Sequence, residues 1–402
     1  MKALTGFGAL SERDYRLFFI GQSASLLGDG MIGVALSFAV LDATDSVSDL
    51  GFVFAARSIP LVGFLLAGGV LADRLSRRTV MVSADLLRLV SQGIVAVLLI
   101  GGHVRLWELI VLQAVHGSAT AFFNPALTGL TPMIVTGARL QQANVLRGIS
   151  MSAGNVVGPA VAGVLVATVG SGWALGVDAA SFGVSAAFLA QLRLPPHVRL
   201  PAQTFLRDLR DGWNEFRSRT WLWIGVAAAG VANMLAAAFF VLGAAISRSS
   251  LGGPSAWALI LSSFGVGSFA GGLLALRLRP RRPFFASFVG YLPFGLPNVL
   301  LALHAPLLGI AAAACVAGGG LMIGNALWET TLQQQVPAAT LSRVTAYDWF
   351  GSLAFAPIGN ALVGPVAVAI GTRPTLWCAG LGIIVLDLLV LSTPAIRQVT
   401  RR

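Results

Sequence analysis

The chain has 402 residues, of which 56% are hydrophobic and only 11% are charged, and its formal net charge is +11. Apolar runs repeatedly reach the roughly 20 residues that an α-helix needs to cross a bilayer, so this composition excludes a soluble globular protein. Cys315 and Cys378 both fall in apolar runs and lack metal-ligand spacing. We therefore expect no disulfide framework, no metal and no cofactor.

Twelve apolar runs are long enough to be membrane helices. We predict them at residues 16–41, 47–72, 79–101, 106–130, 143–169, 172–192, 221–246, 254–276, 284–303, 306–328, 344–370 and 374–393. No nucleophile constellation and no phosphate-binding loop stands out between them, which argues against an enzyme. The sequence thus predicts an all-α membrane protein of twelve transmembrane helices.

The basic residues are distributed unevenly over the connecting segments. If the N-terminus lies in the cytoplasm, the inside segments hold 22 of the 27 Lys and Arg residues, and the outside segments hold only Arg105, Arg248 and Arg373. A bias of this kind sets the orientation of multi-pass proteins. We therefore predict that both termini are cytoplasmic and that the basic charge reports topology, with no nucleic-acid partner.

The first span carries an acid on a polar face. Gln22, Ser25 and Asp29 recur at three- and four-residue spacing, which places them on one side of the helix. Asp29 lies near the midpoint, where a carboxylate costs roughly 2.5–3.5 kcal/mol. It is either a proton carrier or a structural aspartate paired with Arg57 of the second span. Arg57 is alternatively an anchor for an anionic substrate group.

A short charged turn separates the second and third spans. Its marked residues are Gly69, Asp73, Arg74, Arg77 and Arg78. This pattern resembles the signature turn between helices two and three of the major facilitator superfamily, with Ser76 where that family usually has glycine. The resemblance implies a cytoplasmic gate between transport states. The alternative is a topology signal alone.

The third and fourth spans continue the polar pattern. Asp85 and Arg88 form an i, i+3 pair, which we expect either to extend the ion pairs of the gate or to be a plain intrahelical pair. In the fourth span, proton-coupled drug exporters of the superfamily usually have an arginine four residues before a glycine, whereas this chain has Gln113 there. The candidate substrate-cavity residues of this span are Gln113, Thr120, Phe123 and Asn124.

The fifth and sixth spans add a glycine motif and a second acid. The motif residues are Gly154, Gly158, Pro159 and Gly163. They resemble the antiporter motif of the superfamily, which implies export; tight helix packing is the alternative. Asn155 is a further cavity candidate. Asp178 is a candidate for proton coupling, and an outer-vestibule or structural role is the alternative.

Residues 193–220 form the longest connection. Phe205, Leu209, Trp213 and Phe216 alternate with arginines there, which predicts an amphipathic cytoplasmic helix along the membrane surface. We interpret it as a linker between an N-terminal six-helix bundle, residues 1–192, and a pseudo-symmetric C-terminal bundle, residues 221–402.

The second half offers fewer polar candidates. Asn233, Phe264, Asn325 and Trp328 are cavity candidates, and ordinary packing is the alternative for Asn233 and Phe264. Glu329 follows Asn325 on the same helical face near the end of its span. It is either a proton-coupling acid in a cavity or a residue that simply reaches water.

The motifs around Asp29, Asp85 and Asn124 look most like the branch of the superfamily that holds the enterobactin exporter and macrolide-efflux proteins. That resemblance implies a monomeric plasma-membrane exporter of a drug-like or siderophore-like small molecule, driven by protons and working by alternating access within membrane lipid. An uptake permease of the same fold is the first alternative. A non-transporting sensor or scaffold is the second.

Overall fold

A computed structural model describes residues 8–194 and 205–397, and it leaves undescribed the side chains at 65–74, 138, 205–209, 211, 338–339, 342 and 395. The described residues form helices and no strand. In the first part of the chain these are α1 (Arg13–Thr44), α2 (Val47–Arg74), α3 (Arg77–Ile100), α4 (Leu106–Ile134), α5 (Leu140–Thr168) and α6 (Ser171–Ala190).

The helices of the second part of the chain vary more in length. They are α7 (Phe205–Arg217), α8 (Thr220–Ile246), α9 (Pro254–Ala275), α10 (Pro283–Tyr291), α11 (Leu296–Ala302), α12 (Leu307–Gln335), α13 (Ala338–Leu353), α14 (Ala356–Ile370), α15 (Thr372–Ser392) and α16 (Pro394–Arg397). Contacts divide the chain into two compact units, Met1–Asp49 with Ala56–Leu200, and Leu50–Ala55 with Pro201–Arg402.

Twelve stretches of the described helices are long and apolar enough to cross a bilayer, which confirms the predicted number. Ten of them are single helices or one helix with a short extension. The other two are α10 with α11, over Pro283–Ala302, and α13 with α14, over Arg343–Ile370. The protein is therefore an all-α, multi-pass membrane protein made of two six-helix bundles.

The two composite spans are broken where proline interrupts the helix. A 3₁₀ turn over Leu292–Gly295 separates α10 from α11, and Pro293 lies in that turn. The α13–α14 break at Ala354 and Phe355 comes just before Pro357. Proline cannot donate the i→i−4 hydrogen bond and its ring crowds the preceding turn, so each span bends or changes register there.

The first unit is held together by close helix pairs. α1 packs on α5 and α6, and α3 packs on α4 and α6. Tyr15, at the start of α1, donates its hydroxyl proton to the Ala143 carbonyl of α5 at 2.8 Å and packs in a core cluster with Phe18 and Phe123. These pairings bring the polar positions of α1, α3, α4 and α6 into one unit.

The second unit has an aromatic core. Phe284 of α10 lies 4.9 Å from Trp221 of α8 and 5.0 Å from Trp328 of α12, measured between ring centroids. α9 packs on α12, and α8 packs on α14 and α15. Trp328 therefore belongs both to this core and, as described below, to the wall of a cavity.

The amphipathic stretch of the long connection is helical over Phe205–Arg217, as predicted. Gly212 lies against Arg343 and Tyr347 of α13, and the Phe216 ring is buried 5.9 Å from Tyr347. The side chains of Phe205 and Leu209 lie outside the described residues. Near the end of α7, Phe216 is thus covered by α13, whereas Trp213 remains 46% exposed.

Candidate functional site

The first unit contains an ion-pair network centred on Asp29 of α1. Its Oδ1 lies 4.0 Å from a guanidinium nitrogen of Arg57, and its Oδ2 lies 3.9 Å from a guanidinium nitrogen of Arg88. The Asp29 side chain is 32% exposed, whereas that of Arg88 is 3% exposed. Asp29 is therefore an acid with two arginine partners that still has access to the surface of its unit.

Arg88 connects Asp29 to the interior of the unit. It forms a short ion pair with Asp85, whose side chain is fully buried. The guanidinium carbon lies 4.1 Å from the ring centroid of Phe123 and 4.5 Å from that of Phe182, within cation–π range of both rings. Two carboxylates and two aromatic faces thus fix the position of this buried charge.

Asp178 of α6 belongs to the same buried region through two glutamines. Gln92 Nε2 donates to Asp178 Oδ2 at 2.9 Å, and Gln113 Nε2 donates to Gln92 Oε1 at 2.8 Å. All three residues are buried. Asp178 and Gln113 were predicted from the sequence, whereas Gln92 was not, because a single amide in the third span has no distinctive spacing.

The charges of this region do not balance. Asp29, Asp85 and Asp178 provide three carboxyl groups, and only Arg57 and Arg88 interact with them as cations among the described side chains. A buried carboxylate without a compensating cation is costly, which favours a bound proton. The network is therefore chemically suited to hold one exchangeable proton.

Two arginines of the charged turn, at the start of α3, form hydrogen bonds with α4 and with the chain just beyond α6. The Arg77 guanidinium donates to the Gly129 carbonyl of α4, and Arg78 donates to the Leu192 carbonyl, just beyond α6, at 2.9 Å. The side chains of Gly69, Asp73 and Arg74 lie outside the described residues. Among the side chains that are described, Asp85 and Arg88 form ion pairs in the Asp29 network and none with Arg77 or Arg78.

The glycine motif of α5 lies directly against α1. A Cβ atom added to Gly158 would lie 2.7 Å from Cα of Gly30, and one added to Gly154 would lie 2.9 Å from the carbonyl carbon of Leu26. Pro159 and Gly163 are buried in the same helix. The motif therefore allows backbone contact between α1 and α5 a short distance from Asp29.

The other cavity candidates of the first unit are scattered. Gln22 and Ser25 are buried on α1, Thr120 donates back to the His116 carbonyl of its own helix at 2.9 Å, and Asn124 and Asn155 are exposed. Of the predicted set, only Gln113 and Phe123 reach the ion-pair network. Their role in a substrate site stays a prediction.

The second unit contains a cavity of about 280 Å³ between α8, α10, α12, α13 and α15. Four predicted residues line it: Asn233, Asn325, Trp328 and Glu329. Phe264 is not among the lining residues. Its ring centroid lies 6.4 Å from that of Phe294, and Phe294 does line the cavity. The tenth span was therefore the most informative stretch of the second half.

Three ionisable lining residues were missed by sequence reasoning. Asp348, Asp387 and Tyr291 contribute two carboxyl groups and a phenol. Trp328 Nε1 donates to Asp348 Oδ2 at 3.1 Å, and the Tyr291 hydroxyl donates to Asn325 Oδ1 at 2.9 Å. The available signal was that acids are rare inside membrane helices and mark functional sites when they occur.

Similar sequences and similar structures agree on the class of protein. The chain is 26% identical over 393 residues to proteins named enterobactin exporter EntS from Citrobacter koseri and from Shigella boydii serotype 18, covering 94% of this chain and 91% of each relative. The nucleoside transporter NupG has the same fold, with a TM-score of 0.75 at 14% identity over 94% of this chain and 98% of that structure.

A bacterial homologue of the human lysosomal transporter Spinster matches with a TM-score of 0.73 at 14% identity, over 94% of this chain and 95% of the other. A family model described as transmembrane secretion effector matches residues 4–400. These matches are to transporters and not to enzymes. The chain therefore belongs to the transmembrane secretion effector family of the major facilitator superfamily.

Proposed function

We propose that this transporter is a secondary active exporter of the plasma membrane that moves a drug-like or siderophore-like organic molecule out of the cell in exchange for protons. Two observations support the direction. The residues from Gly154 to Gly163 follow the antiporter motif, and the similar sequences are named as exporters of enterobactin. The uptake permease of the same fold lacks support of this kind.

The observation that carries the proton coupling is the environment of Asp29. Its carboxylate lies about equally far from Arg57 and Arg88, and it alone of the three acids of the network is partly exposed. Protonation of Asp29 would weaken both ion pairs at once, because a neutral carboxyl attracts a guanidinium far less than a carboxylate does. We assign Asp29 as the proton carrier, with Arg57, Asp178 and Glu329 as supporting candidates.

Alternating access would couple that protonation to the packing of the helices. α1 carries Asp29 and contacts α5 at the glycine motif, so a change in the ion pairs acts on the same helix pair. The gate assigned to this motion is the charged turn, whose described arginines already bond to α4 and to the end of α6. Proton entry across about 100 mV supplies on the order of 2.3 kcal/mol per charge.

The remaining assignments complete the proposal. Residues 1–192 and 221–402 form the two halves, residues 193–220 link them in the cytoplasm, and both termini face the cytoplasm. The transporter works as a monomer in membrane lipid. Its partners are protons and the exported molecule.

Inverted membrane vesicles from an efflux-deficient host test the proposal. Energised vesicles that contain the parent chain should accumulate at least one compound of a panel of ethidium, erythromycin and a tricatecholate siderophore, and a protonophore should abolish the accumulation. Asp29→Asn should lose most of the proton-driven accumulation, because its side chain no longer takes up a proton.

Asp14→Asn is the matched control, since Asp14 lies on the same helix in an exposed ion pair with Arg13. Both variants are compared at equal amounts of protein in the membrane. Full active accumulation by Asp29→Asn would reject Asp29 as the carrier. Accumulation in right-side-out vesicles instead of inverted ones would establish the uptake permease.

A further inference from the structure

The acids of the C-terminal helices are few and converge on one place. Between residues 220 and 397 the sequence contains only three Asp or Glu residues, Glu329, Asp348 and Asp387. They come from α12, α13 and α15, and all three line the cavity of the second unit.

The described lining of the cavity offers no basic residue to balance these acids. It contains neither lysine, arginine nor histidine. Together with aliphatic residues, five aromatic ones form part of its walls instead: Phe288, Tyr291, Phe294, Trp328 and Trp349. Aromatic faces carry negative partial charge and attract cations. The aromatic rings and the acids therefore both favour a positively charged ligand.

Asp387 is a buried acid with an unpartnered oxygen. The residue is 3% exposed, and its Oδ2 has no hydrogen-bond partner within the described part of the chain. Asp348, also buried, has one partner, the indole nitrogen of Trp328. A buried acceptor without a donor costs free energy, and an electropositive group in the cavity would recover it.

The arrangement favours a diffuse organic cation over a metal ion. In the described residues, no group of three or more His, Cys, Asp and Glu side chains is placed to hold a metal. An ammonium with apolar substituents spreads its charge and requires no chelation, and aromatic walls bind it through cation–π contacts of about 0.5–2 kcal/mol each. The volume suits a small ligand of this kind.

We propose that this cavity binds a lipophilic organic monocation, with the ammonium facing Asp387 and Asp348 and the apolar substituents against the aromatic walls. Asn233 and Asn325 border the site. Binding itself does not depend on the direction of transport. If the protein is an exporter, as proposed above, the cavity selects cationic drug-like molecules over an anionic siderophore.

Equilibrium dialysis of the purified full-length chain tests the proposal without any ion gradient. The probe is radiolabelled benzyltrimethylammonium. Two competitors of similar size are N,N-dimethylbenzylamine N-oxide, which is neutral overall, and phenylmethanesulfonate, which is an anion. We expect saturable binding of the cation and at least about tenfold weaker competition by the other two compounds.

Equal competition by the N-oxide, or better competition by the sulfonate, would overturn the proposal and leave only an apolar cavity. Asp387→Asn should weaken binding of the cation by about tenfold or more, and Glu108→Gln, an acid of the first unit, should leave it unchanged. A normal affinity in both Asp387→Asn and Asp348→Asn would also overturn it. If a variant misfolds, the ligand series on the parent chain still decides.

These outcomes separate the two proposals. Cation binding without export would reject the exporter and keep the site. Export of the siderophore or the macrolide without cation binding would keep the exporter and reject the site.

Discussion

Arg88 is the residue whose surroundings are most fully determined. It is buried between Phe123 and Phe182 and bonded to Asp85, which is itself buried. Removing one partner of a buried ion pair costs about 3–5 kcal/mol, because the other charge stays buried without compensation. We therefore expect Arg88→Met to lower the thermal unfolding temperature of the purified protein markedly.

The double variant Asp85→Asn/Arg88→Met provides the control for this prediction. It removes both charges, so it should recover a large part of the stability that Arg88→Met loses. Unfolding is followed by the loss of monodisperse protein after heating in detergent. Equal stability of parent and Arg88→Met would contradict the account, as would a double variant no more stable than the single one.

Asp29, Arg57 and Arg88 could be singled out from the sequence because charges inside apolar spans are rare and costly. Their partners were not fully predictable. Pairing of Asp29 with Arg57 was the alternative to a proton carrier, and the two side chains do lie within 4.0 Å, but the second contact of Asp29, with Arg88, joins α1 to α3 across 59 positions of the chain. Contacts of that range depend on how helices rotate against one another, which local spacing does not encode.

At the scale of helices, glycines on α1 and α5 allow the two backbones to pack in direct contact. Gly158 leaves no room for a side chain, since a Cβ atom there would lie 2.6 Å from the carbonyl carbon of Gly30. Gly148, ten residues earlier in the same helix, has nothing within 4 Å of its Cβ position. The same substitution thus probes a tight contact at one position and open space at the other.

We expect Gly158→Ala to destabilise the purified protein by about 1–3 kcal/mol through overpacking. Gly148→Ala should be neutral or slightly stabilising, because alanine is the better helix former by about 1 kcal/mol. Thermal unfolding in detergent and the fraction of monodisperse protein measure both variants. The packing account fails if the two substitutions have the same effect.

The helices themselves were largely predictable, and their interruptions were not. Long apolar runs correctly predicted twelve spans because a helix must cover the bilayer with apolar side chains. The prolines at 293 and 357 were visible in the sequence. Whether proline kinks a span or breaks it into two helices depends on whether neighbouring helices satisfy the freed carbonyls. Hydropathy contains no information about neighbouring helices, so it predicted continuous spans.

The same limit explains why Asp348 and Asp387 were missed. Each is a single acid within a predicted span; Asp387 has only apolar residues at helical spacing, and Asp348 has only the small hydroxyl residues Thr345 and Ser352, which do not distinguish a functional face from ordinary packing. Their meaning appears only when α12, α13 and α15 are packed together and all the acids of the second half meet in one cavity. The scarcity of acids over the whole C-terminal bundle marks Glu329, Asp348 and Asp387 in the sequence, whereas the pattern within any single helix does not.

At the scale of the whole chain, the two units carry different chemistry. The first places three aspartates beside two arginines, and the second gathers three acids with no cation among the described lining residues. Duplicated bundles therefore need not duplicate function. The proposals use this difference, with proton exchange assigned mainly to the first unit and recognition of a cation to the second.

The orientation of the chain provides the last prediction, because it determines what transport direction means. With Cys315 and Cys378 replaced by serine, we expect His103→Cys and Ser250→Cys to react with a membrane-impermeant maleimide in intact cells. Arg279→Cys should react only after permeabilisation, since the arginine-rich connection around it should stay in the cytoplasm. All three positions are exposed in the structure. Labelling of Arg279→Cys in intact cells would invert the topology and place the proposed gate on the outer face, which the export mechanism does not permit.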